Sequence, residues 1–152
     1  MFQRMIVGAV AVVVASVGVA VAAEAISVEL KDFKLPADGV VLDEGNGKIA
    51  FYAAGEAVAT VKVVEDGEYT ITVEASGDEA EKMKAKMTIK VGDDVVKENF
   101  ELAMNEAKEY TFVAKMKKGD AKLSIAFTND AYKENEFDRN LYIHKVKLEL
   151  KK

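Results

Sequence analysis

Apolar and polar residues alternate over much of the chain downstream of residue 25. A period of two marks a strand with one face buried and the other in water. In residues 67–75, Tyr69, Ile71, Val73 and Ala75 fall on one face, and Glu68, Thr70, Thr72 and Glu74 on the other. Residues 83–91 are stricter: Met83, Ala85, Met87, Ile89 and Val91 point inward, while Lys84, Lys86, Thr88 and Lys90 point outward. Similar runs occupy residues 110–116 and 122–127, and earlier ones lie near 26–30, 40–42, 49–53 and 58–64. Towards the C-terminus the parity slips. Leu141 and Ile143 share one face and Val146, Leu148 and Leu150 the other, which predicts a bulge near His144–Lys145 or a change of sheet.

Turn-forming residues separate the runs. Glu65-Asp66-Gly67, Gly92-Asp93-Asp94 and Lys118-Gly119-Asp120 predict short hairpin loops. About nine strands at this spacing predict an antiparallel sandwich with a jelly-roll or immunoglobulin-like layout. Helix propensity is high over residues 77–86 and 99–108. In the first of these the inward alternation runs on into a strand, so it is read as a loop and then strand. The second leaves room for a helical turn.

The first 23 residues follow another pattern. Arg4 precedes the uncharged run MIVGAVAVVVASVGVAVAA at residues 5–23. A positive start, an apolar stretch and a small-residue exit are the parts of a secretory signal peptide. Ala20 and Ala22 set cleavage after Ala22 or Ala23, although a run of this length also suffices for a retained membrane anchor. The expected organisation is therefore a signal peptide, or a retained apolar segment, over 1–23 and one binding domain over 24–152. The expected location is extracellular or at the cell surface, with no membrane partner after cleavage.

Composition removes several chemistries. The 152 residues carry 21 Lys plus Arg against 26 Asp plus Glu, with no Cys, no Trp and one His, His144. There is no disulfide framework, no thiolate metal site and no multi-His zinc or copper site. The acidic balance, without a basic block, argues against nucleic acid as a partner. No G-x-S-x-G element or glycine-rich phosphate loop occurs, and no serine has a base near it in sequence, so an enzyme is not expected.

One loop stands out. Between Phe127 and Leu141 lies TNDAYKENEFDRN, which holds Asp130, Glu134, Glu136 and Asp138 together with Asn129, Asn135 and Asn140. It is too long for an ordinary hairpin, and such loops are often functional. Clustered carboxylates, amide oxygens and carbonyls suit a hard cation such as Ca2+, but the spacing is not that of an EF-hand. An acidic solvated loop explains the same residues equally well.

Phe127-Thr128-Asn129-Asp130-Ala131-Tyr132, followed by Asp138-Arg139-Asn140-Leu141-Tyr142-Ile143, resembles the signature of the calcium-dependent xylan-binding modules, carbohydrate-binding module families 36 and 60. The order of the preceding strands is similar as well, so the resemblance spans most of residues 26–150. It implies an all-β chain, an antiparallel β-sandwich of jelly-roll type, with Ca2+ in an exposed loop whose coordination is completed by vicinal sugar hydroxyls. Asp130 and Asp138 match the acidic calcium positions. Glu134 and Glu136 are further candidate metal ligands, and Asn129, Tyr132 and Asn140 are candidate sugar contacts. A cation that reads hydroxyls also removes the need for a Trp platform.

Other residues have two readings. Arg139 either orients a ligating carboxylate or forms a structural ion pair. Tyr132 and Phe137 contact a sugar face or pack the loop, and His144 is structural. Glu79 and Glu81 sit on a loop whose approach to the acidic loop is not visible in sequence. The expected function is a secreted, lectin-like protein that binds polysaccharide or glycan through Ca2+. The alternative is an extracellular structural subunit of a surface layer or filament, in which the module self-assembles into a polymer.

Overall fold

The computed structural model describes residues 25–152, and the signal-peptide expectation for residues 1–23 lies outside the described residues. Twelve strands follow in chain order: β1 (Ile26–Val28), β2 (Val40–Asp43), β3 (Lys48–Phe51), β4 (Gly55–Val63), β5 (Gly67–Gly77), β6 (Lys86–Val91), β7 (Asp94–Glu101), β8 (Lys108–Met116), β9 (Gly119–Phe127), β10 (Ala131–Lys133), β11 (Phe137–Arg139) and β12 (Leu141–Leu150). A 3-10 turn at Leu30–Asp32 follows β1.

The strands form an antiparallel β-sandwich, as the alternation predicts. One sheet has the order β2-β3-β12-β5-β8, with β1 also paired to β12; the other has the order β4-β9-β6-β7. Tyr69, Ile71, Val73, Phe112, Leu141, Ile143, Val146 and Leu148 supply the inner face of the first sheet. Ala57, Val61, Met87, Ile89, Leu123, Ile125 and Phe127 supply that of the second. Phe51 meets Phe127 edge to face across the core, with centroids 6.4 Å apart. Phe100 of β7 packs on Tyr110 and Phe112 of β8 at 5.2 Å, closing one side of the sandwich. With no disulfide available, this close-packed interior supplies the domain's cohesion.

The predicted parity slip is a bulge. Ile143 pairs with Ala75 and Lys145 with Glu74, which leaves His144 as the extra residue of β12.

Two of the three predicted hairpins are not hairpins. Gly92-Asp93 joins β6 to its partner β7, with Gly92 at φ +61° as a tight turn requires. The chain at Glu65-Asp66 instead passes from β4 to β5, and at Lys117-Lys118 from β8 to β9, each time changing sheet. Turn residues show that a chain reverses, but not which sheet receives it.

Met83 also departs from its expected position: it is 37% exposed, and the strand begins at Lys86. Met83 instead closes a reverse turn with Ala80, the two backbones exchanging bonds of 3.0 and 3.1 Å. Residues 99–108 hold no helical turn; β7 runs through Glu101 and bends follow. Strand β7 lacks a clean alternation because it is a largely exposed edge, and irregular register interrupts its pairing with β6.

Candidate functional site

The acidic loop folds into the small hairpin β10–β11, in which Ala131 faces Arg139, Tyr132 faces Asp138 and Lys133 faces Phe137. Its tip is set by Asn135 at φ +63°, a conformation that Asn accepts more readily than most residues. Glu136 N–H closes the turn on the Lys133 carbonyl at 2.9 Å.

Arg139 ties this hairpin to the sandwich. Its side chain is only 5% exposed. Nε donates to the Met83 carbonyl at 3.0 Å, Nη2 to the Ala80 carbonyl at 2.6 Å, and Nη1 to the Asn129 carbonyl. Neither expected role for Arg139 describes this arrangement. The guanidinium bonds three backbone carbonyls, two of them across the neck of the turn at residues 80–83. That turn places Glu81 and Lys82 at φ +53° and +62°, where non-glycine residues are strained.

Asn129 fixes the other side of the loop. Lys86 N–H donates to its Oδ1 at 2.7 Å, and its Nδ2 donates to the Lys84 carbonyl at 2.9 Å. Both ends of this amide are therefore engaged by backbone.

Between these anchors lies a polar cluster. Asn140 is 4% exposed, and its Nδ2 donates at 3.1 Å to both Asp78 Oδ2 and Asp138 Oδ2. Tyr142 Oη–H donates to the same Asp78 oxygen at 2.7 Å. Asn140 Oδ1 is buried and has no partner. Burial pushes the Asp130 carboxyl above its ordinary range, and the Asp138 carboxylate beside it pushes the same way, while the Ala131 N–H and Arg139 pull back. Burial, and then the bond to Asp78, also raise the Tyr142 hydroxyl well above its usual range.

The structure thus brings Asp130, Asp138 and Asn140 together. Glu136 instead pairs with Lys133 at 2.9 Å on the exposed tip, and Glu134 is exposed beside it. Tyr132 stands 65% exposed opposite Asp138. Glu79, on the neighbouring loop, is held by Lys84 at 3.4 Å.

No role for Asp78 or Tyr52 is visible in the sequence, and Tyr142 is marked there only as part of the Asp138–Ile143 motif. Asp78 follows Gly77 at the end of β5, where its N–H bonds the Asn140 carbonyl at 3.0 Å. Only strand pairing reveals that approach. Tyr52, 48% exposed, meets Tyr142 edge to face at 6.4 Å, and Lys48 Nζ lies 4.1 Å from the Tyr142 ring centroid. Such half-exposed rings beside polar groups suit a sugar face.

Oxygen donors suit a hard cation. The Asp130–Asp138 pair and the orphaned Asn140 oxygen fit Ca2+ on chemical grounds. Among the described residues no three His, Cys, Asp or Glu side chains converge as a metal-binding group. A cation here would therefore need amide, carbonyl or ligand oxygens besides carboxylates. A cavity of about 570 Å3 opens at the opposite end of the sandwich, lined by residues such as Asp66, Gly67, Val91, Met116 and Ala121. None of the loop residues borders it.

Comparison with known proteins agrees with this fold. The chain is similar to the CBM36-1 domain of a multidomain xylanase from the hindgut metagenome of Trinervitermes trinervoides, with a TM-score of 0.67 at 16% identity, covering 85% of this chain and 99% of that one. A family 35 carbohydrate-binding module from Clostridium thermocellum gives a TM-score of 0.65 at 14% identity, over 83% of this chain and 98% of that one. A CBM36 module in complex with calcium and xylotriose gives 0.59 at 17% identity, over 84% and 99%. These likenesses establish the sandwich fold. No curated protein matches the chain. The model of CBM60, described as a Ca-dependent, xylan-binding carbohydrate-binding module, matches residues 70–152, more than half of the chain and the whole of the loop. The chain therefore belongs to the CBM60 family of carbohydrate-binding modules.

Proposed function

We propose that residues 24–152 form a secreted, non-catalytic module that binds polysaccharide in a Ca2+-dependent manner through the 129–140 loop. The observation that carries this reading is the Asp130–Asp138 pair. Burial and the neighbouring Asp138 carboxylate both raise the Asp130 carboxyl, and the nearest guanidinium is committed to carbonyls. A cation relieves that repulsion. The family description and the calcium and xylotriose complex of a similar fold support the choice of Ca2+ and of a xylan-like glycan.

Asp130 and Asp138 hold the ion, which when bound supplies open positions for vicinal hydroxyls. Tyr132 and Tyr52 offer aromatic faces to the sugar on either side. Asn129 and Arg139 position the loop, since their polar atoms are occupied by backbone. Glu134 and Glu136, at the hairpin tip, bias the approach of charged ligands. The polymer reading draws no support from any contact among the described residues.

Affinity electrophoresis in xylan gels tests the proposal. Retardation is expected in millimolar Ca2+ and not in EDTA, and Asp138→Ala should migrate freely in both. Equal retardation in EDTA would overturn it.

A further inference from the structure

The segment joining β5 to β6, residues 78–85, is laced to the 129–140 loop along its length. Asp78 N–H donates to the Asn140 carbonyl at 3.0 Å. Arg139 donates to the Ala80 and Met83 carbonyls at 2.6 and 3.0 Å. Asn129 donates to the Lys84 carbonyl at 2.9 Å and accepts from Lys86 N–H at 2.7 Å. The guanidinium that holds Met83 also takes the Asn129 carbonyl, so the turn at residues 80–83 stands within the reach of one planar group from the residue before Asp130. The loop site therefore has a second wall, and the proposed function gives it no task.

The tip of that wall is costly for the fold and idle within it. Ala80 and Met83 close a turn whose central residues, Glu81 and Lys82, lie at φ +53° and +62°. Positive φ at both central positions suits Asn-Gly, not two long side chains. Glu79 and Lys84, which flank the turn, pair with each other at 3.4 Å. Glu81 and Lys82 are exposed and form no ion pair among the described residues. A free carboxylate accepts hydrogen bonds from hydroxyls, and a free ammonium donates to them.

We infer that the turn at residues 80–83 is the second wall of the glycan site, and that Glu81 and Lys82 bind sugar hydroxyls there. This rests on the reading that glycan binds at the 129–140 loop, and it adds no metal ligand. The class of glycan is uncharged. The exposed acids at this end, Glu81 and Glu134, repel a uronate, while the hydroxyls of a neutral chain satisfy both Glu81 and Lys82.

Affinity electrophoresis in unsubstituted xylan, in millimolar Ca2+, tests this with the double variant Glu81→Asn, Lys82→Gly. Its dissociation constant should rise about tenfold, the loss of hydrogen bonds to charged groups. Its melting temperature should be no lower than that of wild type, so that weaker binding is not unfolding. The single variants Glu81→Gln and Lys82→Met, which leave the other side chain in place, should each show a smaller loss. If the double variant is retarded as strongly as wild type, the inference falls, while wild-type retardation that EDTA abolishes keeps the proposed function. Tighter binding of polygalacturonate than of xylan by wild type would overturn the assignment to an uncharged glycan. Absence of Ca2+-dependent retardation of wild type removes both readings.

Discussion

Arg139 shows how much one side chain determines at this site. It is buried and hydrogen-bonds no carboxylate; the carbonyls of Ala80, Met83 and Asn129 take its donors, with the Asp130 charge nearby. Hydrogen bonds to a charged group contribute about 1.5–3 kcal/mol each. Arg139→Met should therefore destabilise the domain by about 3 kcal/mol or more in urea titrations and weaken Ca2+ binding, because the two loops lose their common anchor. His144 gives a pH-dependent counterpart. Burial lowers its affinity for a proton, Lys48 adds to that, and Glu74 opposes it. The unfolded chain then binds the proton more readily than the fold, so stability is full above the ordinary imidazole range and declines as pH falls through it. Ser76 Oγ lies 2.7 Å from His144 Nε2, a hydrogen bond in which the hydroxyl can donate or accept. The stability advantage of wild type over His144→Gln should thus be larger at pH 7.5 than at pH 5, read from urea midpoints. In sequence Asp130 and Asp138 were legible because charge clusters in one dimension. Asp78 was not, because only the pairing of β5 with β12 brings it to Asn140.

At the scale of elements, the end of β5 and the start of β12 form the base of the site. A Cβ on Gly77 would lie 2.8 Å from the Asn140 carbonyl oxygen and 3.0 Å from the Ala85 Cβ. Neither neighbour is a flexible side-chain end. Gly77→Ala should cost about 1–3 kcal/mol by overpacking and weaken Ca2+ binding with it. Gly92 has open space around it but a positive φ, so Gly92→Ala should cost about 1 kcal/mol and leave Ca2+ binding unchanged. Differential scanning and calcium titration of the two variants check the contrast. The turn at Glu81-Lys82 holds two strained residues beside the site. Replacing them with Asn-Gly should raise stability by about 1–2 kcal/mol. Strand identity was readable here wherever one face is buried, as in β5, β8 and β9. The partly exposed β7 and the three-residue β10 and β11 carry too little alternation to announce themselves. Sheet membership was not readable either, because Glu65-Asp66 and Lys117-Lys118 cross between sheets with the same residues that would close a hairpin.

As a whole, the molecule keeps a rigid sandwich and places its acids unevenly. The formal charge is -5, yet the carboxylates that matter are gathered at one end, around Asn140. A ligand that binds only the folded state returns stability in proportion to its occupancy. At Ca2+ about a hundredfold above its dissociation constant the gain is about 2.7 kcal/mol, or roughly 10 °C in melting temperature for a domain of this size. Family membership, which was legible from the segments around Asp130 and Asp138, sets the expected ligand class, and dependence on the cation is the part of the proposed function that stays to be measured. A glycan array read with the same protein in Ca2+ and in EDTA tests that dependence most directly. Binding confined to xylan-like polysaccharides and present only with Ca2+ is the expected result. Binding of the same glycans at equal strength in EDTA would contradict the account.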